Sequence, residues 1–147
     1  MENIKNLKEI ASQILFHNSN SALSGSLALH LQGFKTRRKP SDIDITVPYN
    51  KPFTPITGME HFDCSDDYDE SDYTRGSYKF GDIKIDVFYP IKNKVLETDI
   101  VWIDKPINAV KWSEILKFKL EHSFDENYED EKHRDDLIWF LQNNKVF

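Results

Sequence analysis

The pattern of apolar residues predicts an α/β (α+β) fold, in which a sheet shares its core with helices and two further helices follow at the C-terminal end. Three observations carry this. Apolar residues recur at three- and four-residue steps through 2–17, alternate with polar ones at 42–47 and in a hairpin at 73–89, and return to helical spacing from 113 onward. A chain of 147 residues can bury one core of moderate size, so a single domain over 1–147 is expected.

Ile4, Leu7, Ile10, Ala11, Ile14 and Leu15 mark one face of the first helix, which Asn18-Ser19-Asn20 ends. Ser21–Ser24 is a short strand and Gly25-Ser26 a turn. Leu27–Gln32 then reads as a buried helix, with Ser26 as its cap and Gly33 as its stop. A basic loop, Lys35 to Pro40, leads into the strand Asp42–Val47, which Pro48 closes. Pro48, Pro52 and Pro55 argue against regular structure in the next stretch. Glu60–Asp72, with seven acids and no Lys or Arg, reads as an exposed loop or a short edge element. Tyr73–Phe80 and Ile83–Tyr89, joined by Gly81-Asp82, give the clearest hairpin signal. Ile100–Ile103 and Ile107–Val110 are short strands. Ser113 is expected to cap a helix reaching His122, and a last helix over 128–142 begins acidic, as the helix dipole favours, and ends apolar.

Lys and Arg number 19 against 25 Asp and Glu, and the net charge of −6 weighs against a globally basic nucleic-acid binder. A single cysteine, Cys64, excludes an internal disulfide framework and fits a reducing compartment. No apolar run approaches the ~20 residues needed to cross a bilayer. Met1-Glu2-Asn3-Ile4-Lys5 also lacks the plan of a signal peptide, so a cytoplasmic protein without a membrane partner is expected. His61 and Cys64 have ligand-like spacing but no second pair, which argues against zinc. Trp102, Trp112 and Trp139 suit core or interface positions better than a base-stacking platform.

Three features point to chemistry. In Asp42-x-Asp44 on a strand, both carboxylates share a face while Ile43 and Ile45 take the other. Two such carboxylates repel unless a cation compensates, and hard divalent ions, Mg²⁺ or Mn²⁺, suit their oxygens. Taken alone, the same motif also fits a solvated strand edge. Asp86, flanked by Ile85 and Val87, stands on the polar face of its strand and can join the pair if the hairpin lies beside the Asp42 strand. Otherwise it is simply an outward-facing acid. Gly25-Ser26 between strand and helix allows close backbone approach and a phosphate at the helix N-terminus, or serves as a plain cap.

Together, Leu23-Ser24-Gly25-Ser26, Ser41-Asp42-Ile43-Asp44-Ile45 and Lys84-Ile85-Asp86-Val87 resemble the nucleotidyltransferase superfamily typified by DNA polymerase beta. Gly25–Leu31 and Arg38–Asp42 look like the small abortive-infection type nucleotidyltransferases, which include toxins. Lys119-Leu120, Lys132-His133 and Asp136-Leu137 are similar to that group's C-terminal helix pattern. The resemblance implies a mixed nucleotidyltransferase sheet flanked by helices, forming one nucleotidyltransferase domain over 1–147. It implies an enzyme that transfers NMP from an NTP such as ATP, held through two Mg²⁺ (or Mn²⁺), to a hydroxyl acceptor with release of pyrophosphate. The acceptor would be a small molecule, a protein or an RNA end. Asp42 and Asp44 would hold both metals, and Asp86 the catalytic one. The phosphates would lie near Gly25 and Ser26. Lys35, Arg37, Arg38 and Lys39 would neutralise them or form a solvated loop, and Lys119 would reach them or pair with Asp136.

Two other readings stay open. A non-catalytic module of the same fold would serve as a toxin–antitoxin or regulatory protein partner. An RNA-modifying enzyme would use Lys35–Lys39 as its contact, with a steep salt dependence.

Overall fold

The alternation in Ile43-Asp44-Ile45-Thr46 buries every second side chain, while Ile85-Asp86-Val87 alongside it is buried throughout. The computed structural model describes residues 2–62, 73–121 and 128–146. In chain order the elements are α1 (Glu2–His17), β1 (Ala22–Ser24), α2 (Gly25–Leu31), β2 (Ile43–Thr46), β3 (Met59–His61) and β4 (Tyr73–Phe80). They continue with β5 (Ile83–Pro90), β6 (Thr98–Trp102), β7 (Pro106–Val110), α3 (Trp112–Glu121) and α4 (Tyr128–Asn143). Among the described residues the strands form one sheet in the order β3-β4-β5-β2-β1-β7-β6. Pairs β2–β5 and β1–β7 are parallel and the rest antiparallel, so the sheet is mixed and the fold is α+β.

Register divides the chemistry between the two faces. Leu23, Ile45 and Val87 are cross-strand neighbours and none is exposed; Ile43 and Ile85 pair in the same way. Cross-strand partners share a face, so these residues form the apolar side. The next row, Ser24–Asp44–Asp86–Ser77, crosses four adjacent strands on the opposite face. Helix α1 contacts β1 and β7, whereas α2 contacts β1 and β2 and also touches α3, which pairs with α4.

Most expected elements appear where the sequence places them, and the differences have physical causes. Helix α2 starts at Gly25 rather than Leu27, with Ser24 as its cap residue and no side-chain capping bond. Gly25 has φ +68°, a conformation that turns the chain out of β1 at once and leaves Ser26 in the first turn rather than at the cap. Helix α3 begins at Trp112, so Ser113 does not cap it. The Trp112 N–H instead donates to Oε1 of Gln32, 2.9 Å away, from the end of α2. The same Gln32 donates through Nε2 to the carbonyls of Ala28 (3.1 Å) and Val110 (2.8 Å).

Asn18 does more than end α1. Its Nδ2 donates to the carbonyls of Ile14 (2.9 Å) and Thr54 (2.8 Å), and its Oδ1 accepts from the Thr54 N–H (2.8 Å), pinning the proline-rich stretch to the helix. That stretch ends in the edge strand β3, so Glu60 and His61 form the short edge element. From residue 63 on, the acidic run, and with it Cys64, lies outside the described residues. Trp112 packs against Phe34, but Trp102 is 71% exposed on β6 and belongs to no core. No described helix is long and apolar enough to cross a membrane.

Gln32 is the joint between α2, β7 and α3, and its loss leaves the Trp112 N–H without its acceptor. Gln32→Ala should lower unfolding stability by about 1–3 kcal/mol in urea denaturation. A change below about 0.5 kcal/mol, the usual size for a surface substitution, would contradict that role.

Candidate active site

The polar row gives the site its base. Asp44 on β2 lies between Ser24 on β1 and Asp86 on β5, and Ser77 on β4 completes the row. Asp42, expected to open the strand, lies in a bend just before β2; it is exposed and lines the same pocket as Asp44. Gly25 closes against this row. A Cβ built there would overlap Oδ2 of Asp44, and the positive φ independently favours glycine. Two independent constraints thus converge on one residue, a positive φ and the close passage of the backbone by the Asp44 carboxylate.

Gly25, Ser26, Asp42 and Asp44 line a pocket of about 240 Å³, whose other wall includes Arg37, Arg38, Lys39, Lys119 and Lys132. Carboxylates and cations therefore face one cavity from different elements. Arg37, Arg38 and Lys119 all converge on Asp136 of α4. Arg37 Nε lies 2.7 Å from Oδ1, Arg38 Nη2 lies 3.1 Å from Oδ2, and Lys119 Nζ lies 3.3 Å from Oδ2. Lys39 and Lys132 make no ion pair with any described residue. Lys119 is thus both a pocket residue and the partner of Asp136. Lys35 is not in the pocket; its backbone N–H donates to Asn144 Oδ1 (2.8 Å) and its carbonyl accepts from Asn144 Nδ2 (2.9 Å).

Asp86 is set apart. It is only 7% exposed and does not line the pocket, although it neighbours Asp44 in the sheet. Its Oδ1 accepts from Ser77 Oγ at 2.8 Å, and its Oδ2 lies 3.6 Å from Lys84 Nζ. The sequence reading missed Ser77, Lys84 and the gathering role of Asp136. Ser77 was within reach: a two-residue turn at Gly81-Asp82 pairs Phe80 with Ile83, and counting back places Ser77 opposite Asp86.

The electrostatics follow the geometry. Burial, then the charges of Asp86 and Asp42, push the Asp44 carboxyl up to about 7, against the weaker pull of Lys119 and Lys132. Burial also raises Asp42, aided by Asp86 and opposed by Lys84 and Lys132. For Asp136, burial pushes upward, but Lys119, Arg37 and Arg38 outweigh it and hold the carboxyl below its ordinary value. Burial lowers Lys119, with Asp136 and Asp44 resisting. Among the described residues no three acids, histidines or cysteines are gathered into a ready metal cage. The donors nonetheless suit a hard cation: they are neighbouring carboxylate oxygens, and the charge of Asp86 raises the cost of ionising Asp42 and Asp44.

No protein-family model matches the chain, and no curated protein matches it in sequence. A solved structure, that of ANT(2″)-Ia in complex with adenylyl-2″-tobramycin, is similar to it with a TM-score of 0.59 at 14% identity. The match covers 94% of this chain and 87% of that one. At that identity the likeness is one of fold, and the fold is of the nucleotidyltransferase type. The neighbour is an aminoglycoside nucleotidyltransferase and does not represent the abortive-infection group.

A carboxyl raised from its unfolded pKa of about 3.9 favours the folded state most when protonated, so its contribution is full below that value and lost as pH rises through about 7. In chelator, wild-type melting temperature should therefore fall between pH 5 and pH 8, and Asp44→Asn should flatten the decline. A variant profile parallel to wild type would show that Asp44 is not the titrating group.

Proposed function

We propose that the protein is a nucleotidyltransferase that moves NMP from an NTP to a hydroxyl acceptor with release of pyrophosphate. One observation carries this: a single pocket is lined by the carboxylates of Asp42 and Asp44 and by Arg and Lys side chains from the loop before β2, α3 and α4. A nucleoside triphosphate with divalent cations needs both. The nucleotidyltransferase-type fold supports the same class of reaction.

In this reading Asp42, Asp44 and Asp86 hold two Mg²⁺, with Mn²⁺ as a substitute. The ions would neutralise the triphosphate and increase the acidity of the attacking hydroxyl. The chain's own groups orient the reactants. Gly25 lets the backbone approach the phosphates, and Ser26, in the first turn of α2, offers its hydroxyl to them. Arg38, Lys39 and Lys119 stabilise the negative charge that builds on the β- and γ-phosphates, with Arg37 beside them. Asp136 holds Arg37, Arg38 and Lys119 together before any anion arrives, so the basic wall is ordered in advance. The acceptor oxygen forms a bond to the α-phosphorus, the bond from that phosphorus to the pyrophosphate oxygen breaks, and the hydroxyl proton is released.

The neighbour's structure holds adenylyl-2″-tobramycin, which favours an adenylyl group and a small-molecule acceptor over a protein or an RNA end.

With Mg²⁺, α-labelled NTPs and a panel of hydroxyl-bearing acceptors, wild type should transfer label and release pyrophosphate. Asp42→Ala, Asp44→Ala and Asp86→Ala should each cut the rate by roughly 100-fold or more, reflecting the loss of several kcal/mol of charge stabilisation. Failure of the folded wild-type protein to bind any Mg²⁺–NTP would overturn the proposal. Mg²⁺–NTP binding and a stable co-purifying partner, both unchanged in Asp44→Asn, would favour a non-catalytic module instead.

A further inference from the structure

Asp42 lies immediately before β2, two residues from Asp44, and Lys84-x-Asp86 makes the same two-residue step on β5, the neighbouring parallel strand. Asp44 pairs with Asp86, and Lys84 shares the face of Asp86. The three carboxylates and the ammonium act on one another electrostatically. The lysine is engaged there. Its Nζ lies 3.6 Å from Asp86 Oδ2, and its charge also reaches Asp42. The other Asp86 oxygen is taken by Ser77 Oγ at 2.8 Å. Both oxygens of a nearly buried carboxylate are therefore occupied by groups of the chain itself.

The two partners differ in kind. Ser77 is 4% exposed, neutral and fixed in the ladder opposite Asp86, so it can keep its bond whatever binds at Oδ2. Lys84 carries a full charge on a four-carbon stem, and its side chain is 33% exposed against 10% for that of Asp86. It has solvent to move into. A buried carboxylate beside two others is costly without a compensating charge, and the ammonium supplies one.

We propose that Lys84 is a tethered counter-cation that holds Asp86 in the metal-free protein and competes with a divalent cation for Asp86 Oδ2, while Ser77 keeps the carboxylate aimed. The inference rests on the nucleotidyl-transfer reading in one respect, that the carboxylates bind a divalent ion. An ammonium and a divalent ion repel at contact distance, so the ion enters as the lysine withdraws toward solvent. The metal-free site is then stabilised by its own lysine, and metal affinity is set partly by the cost of displacing it.

The test is equilibrium binding of Mn²⁺ alone, followed by the electron paramagnetic resonance signal of the free ion, to wild type, Lys84→Met and Lys84→Arg. Lys84→Met should bind Mn²⁺ about tenfold tighter, having lost a positive charge that acts through a partly exposed site. It should also melt at a lower temperature without metal and gain more from Mn²⁺ than wild type does. Lys84→Arg should stay near wild type in affinity. Equal or weaker binding by Lys84→Met, with wild type binding normally, would overturn the inference and leave the metal reading standing. Absence of Mn²⁺ binding in both proteins would overturn the metal reading and this inference together. If Lys84→Met does not fold, as judged by circular dichroism, Lys84→Gln is read by the same criteria.

Discussion

The structure depends on the register in which β2 lies against β5. Side chains on a strand alternate with a period of two, so a slip of one residue would exchange the two faces completely. Ile43, Ile45, Ile85 and Val87, all wholly buried, make that exchange prohibitive, because it would drive Asp44 and Asp86 into the core. The apolar residues therefore fix the position of the charged ones. Asp44 and Asp86 are neighbours because their flanking isoleucines and valine cannot be anywhere else. A parallel pair between strands so far apart in sequence also needs a third element between them, and the hairpin supplies it by bringing β5 inside β4.

Charge balance follows from that register. Burial and the charge of Asp86 raise Asp42 and Asp44, and the chain answers with cations from several elements: Lys84 from β5, Lys119 from α3 and Lys132 from α4. Asp136 holds Lys119 together with Arg37 and Arg38 from the loop before β2. The overall charge of −6 gives no hint of this arrangement, since the pocket gathers the carboxylates of Asp42 and Asp44 together with Arg and Lys side chains from the loop before β2 and from α3 and α4. The fold places opposite charges in one cavity without letting them all neutralise one another: Lys39 and Lys132 make no ion pair with any described residue.

Local patterns made much of this legible. The alternation at Asp42–Val47, the hairpin about Gly81-Asp82 and the helix over 2–17 each follow from periodicity, and the structure has them within a residue or two. Gly25 was legible as a place of close approach, although sequence alone could not show that the approaching group is Asp44. What escaped was long-range. Gln32 caps a helix that starts 80 residues later, and no local capping rule could have found it when Ser113 stood beside the helix start. The convergence of Arg37, Arg38 and Lys119 on Asp136 joins a loop and two helices, and charge spacing along the chain does not encode it. Lys84 was visible beside Asp86 but unread, because its meaning depends on which strand lies alongside.

The central claim is that one sheet face and one basic wall together hold a nucleoside triphosphate with its divalent ions. A crystal structure of the protein with Mg²⁺ and a non-hydrolysable NTP tests it most directly. The expected result is metal density between Asp42, Asp44 and Asp86, Lys84 withdrawn from Asp86, and phosphates against Ser26, Arg38, Lys39 and Lys119. A nucleotide bound elsewhere, or bound with those three carboxylates left free of metal, would contradict the account.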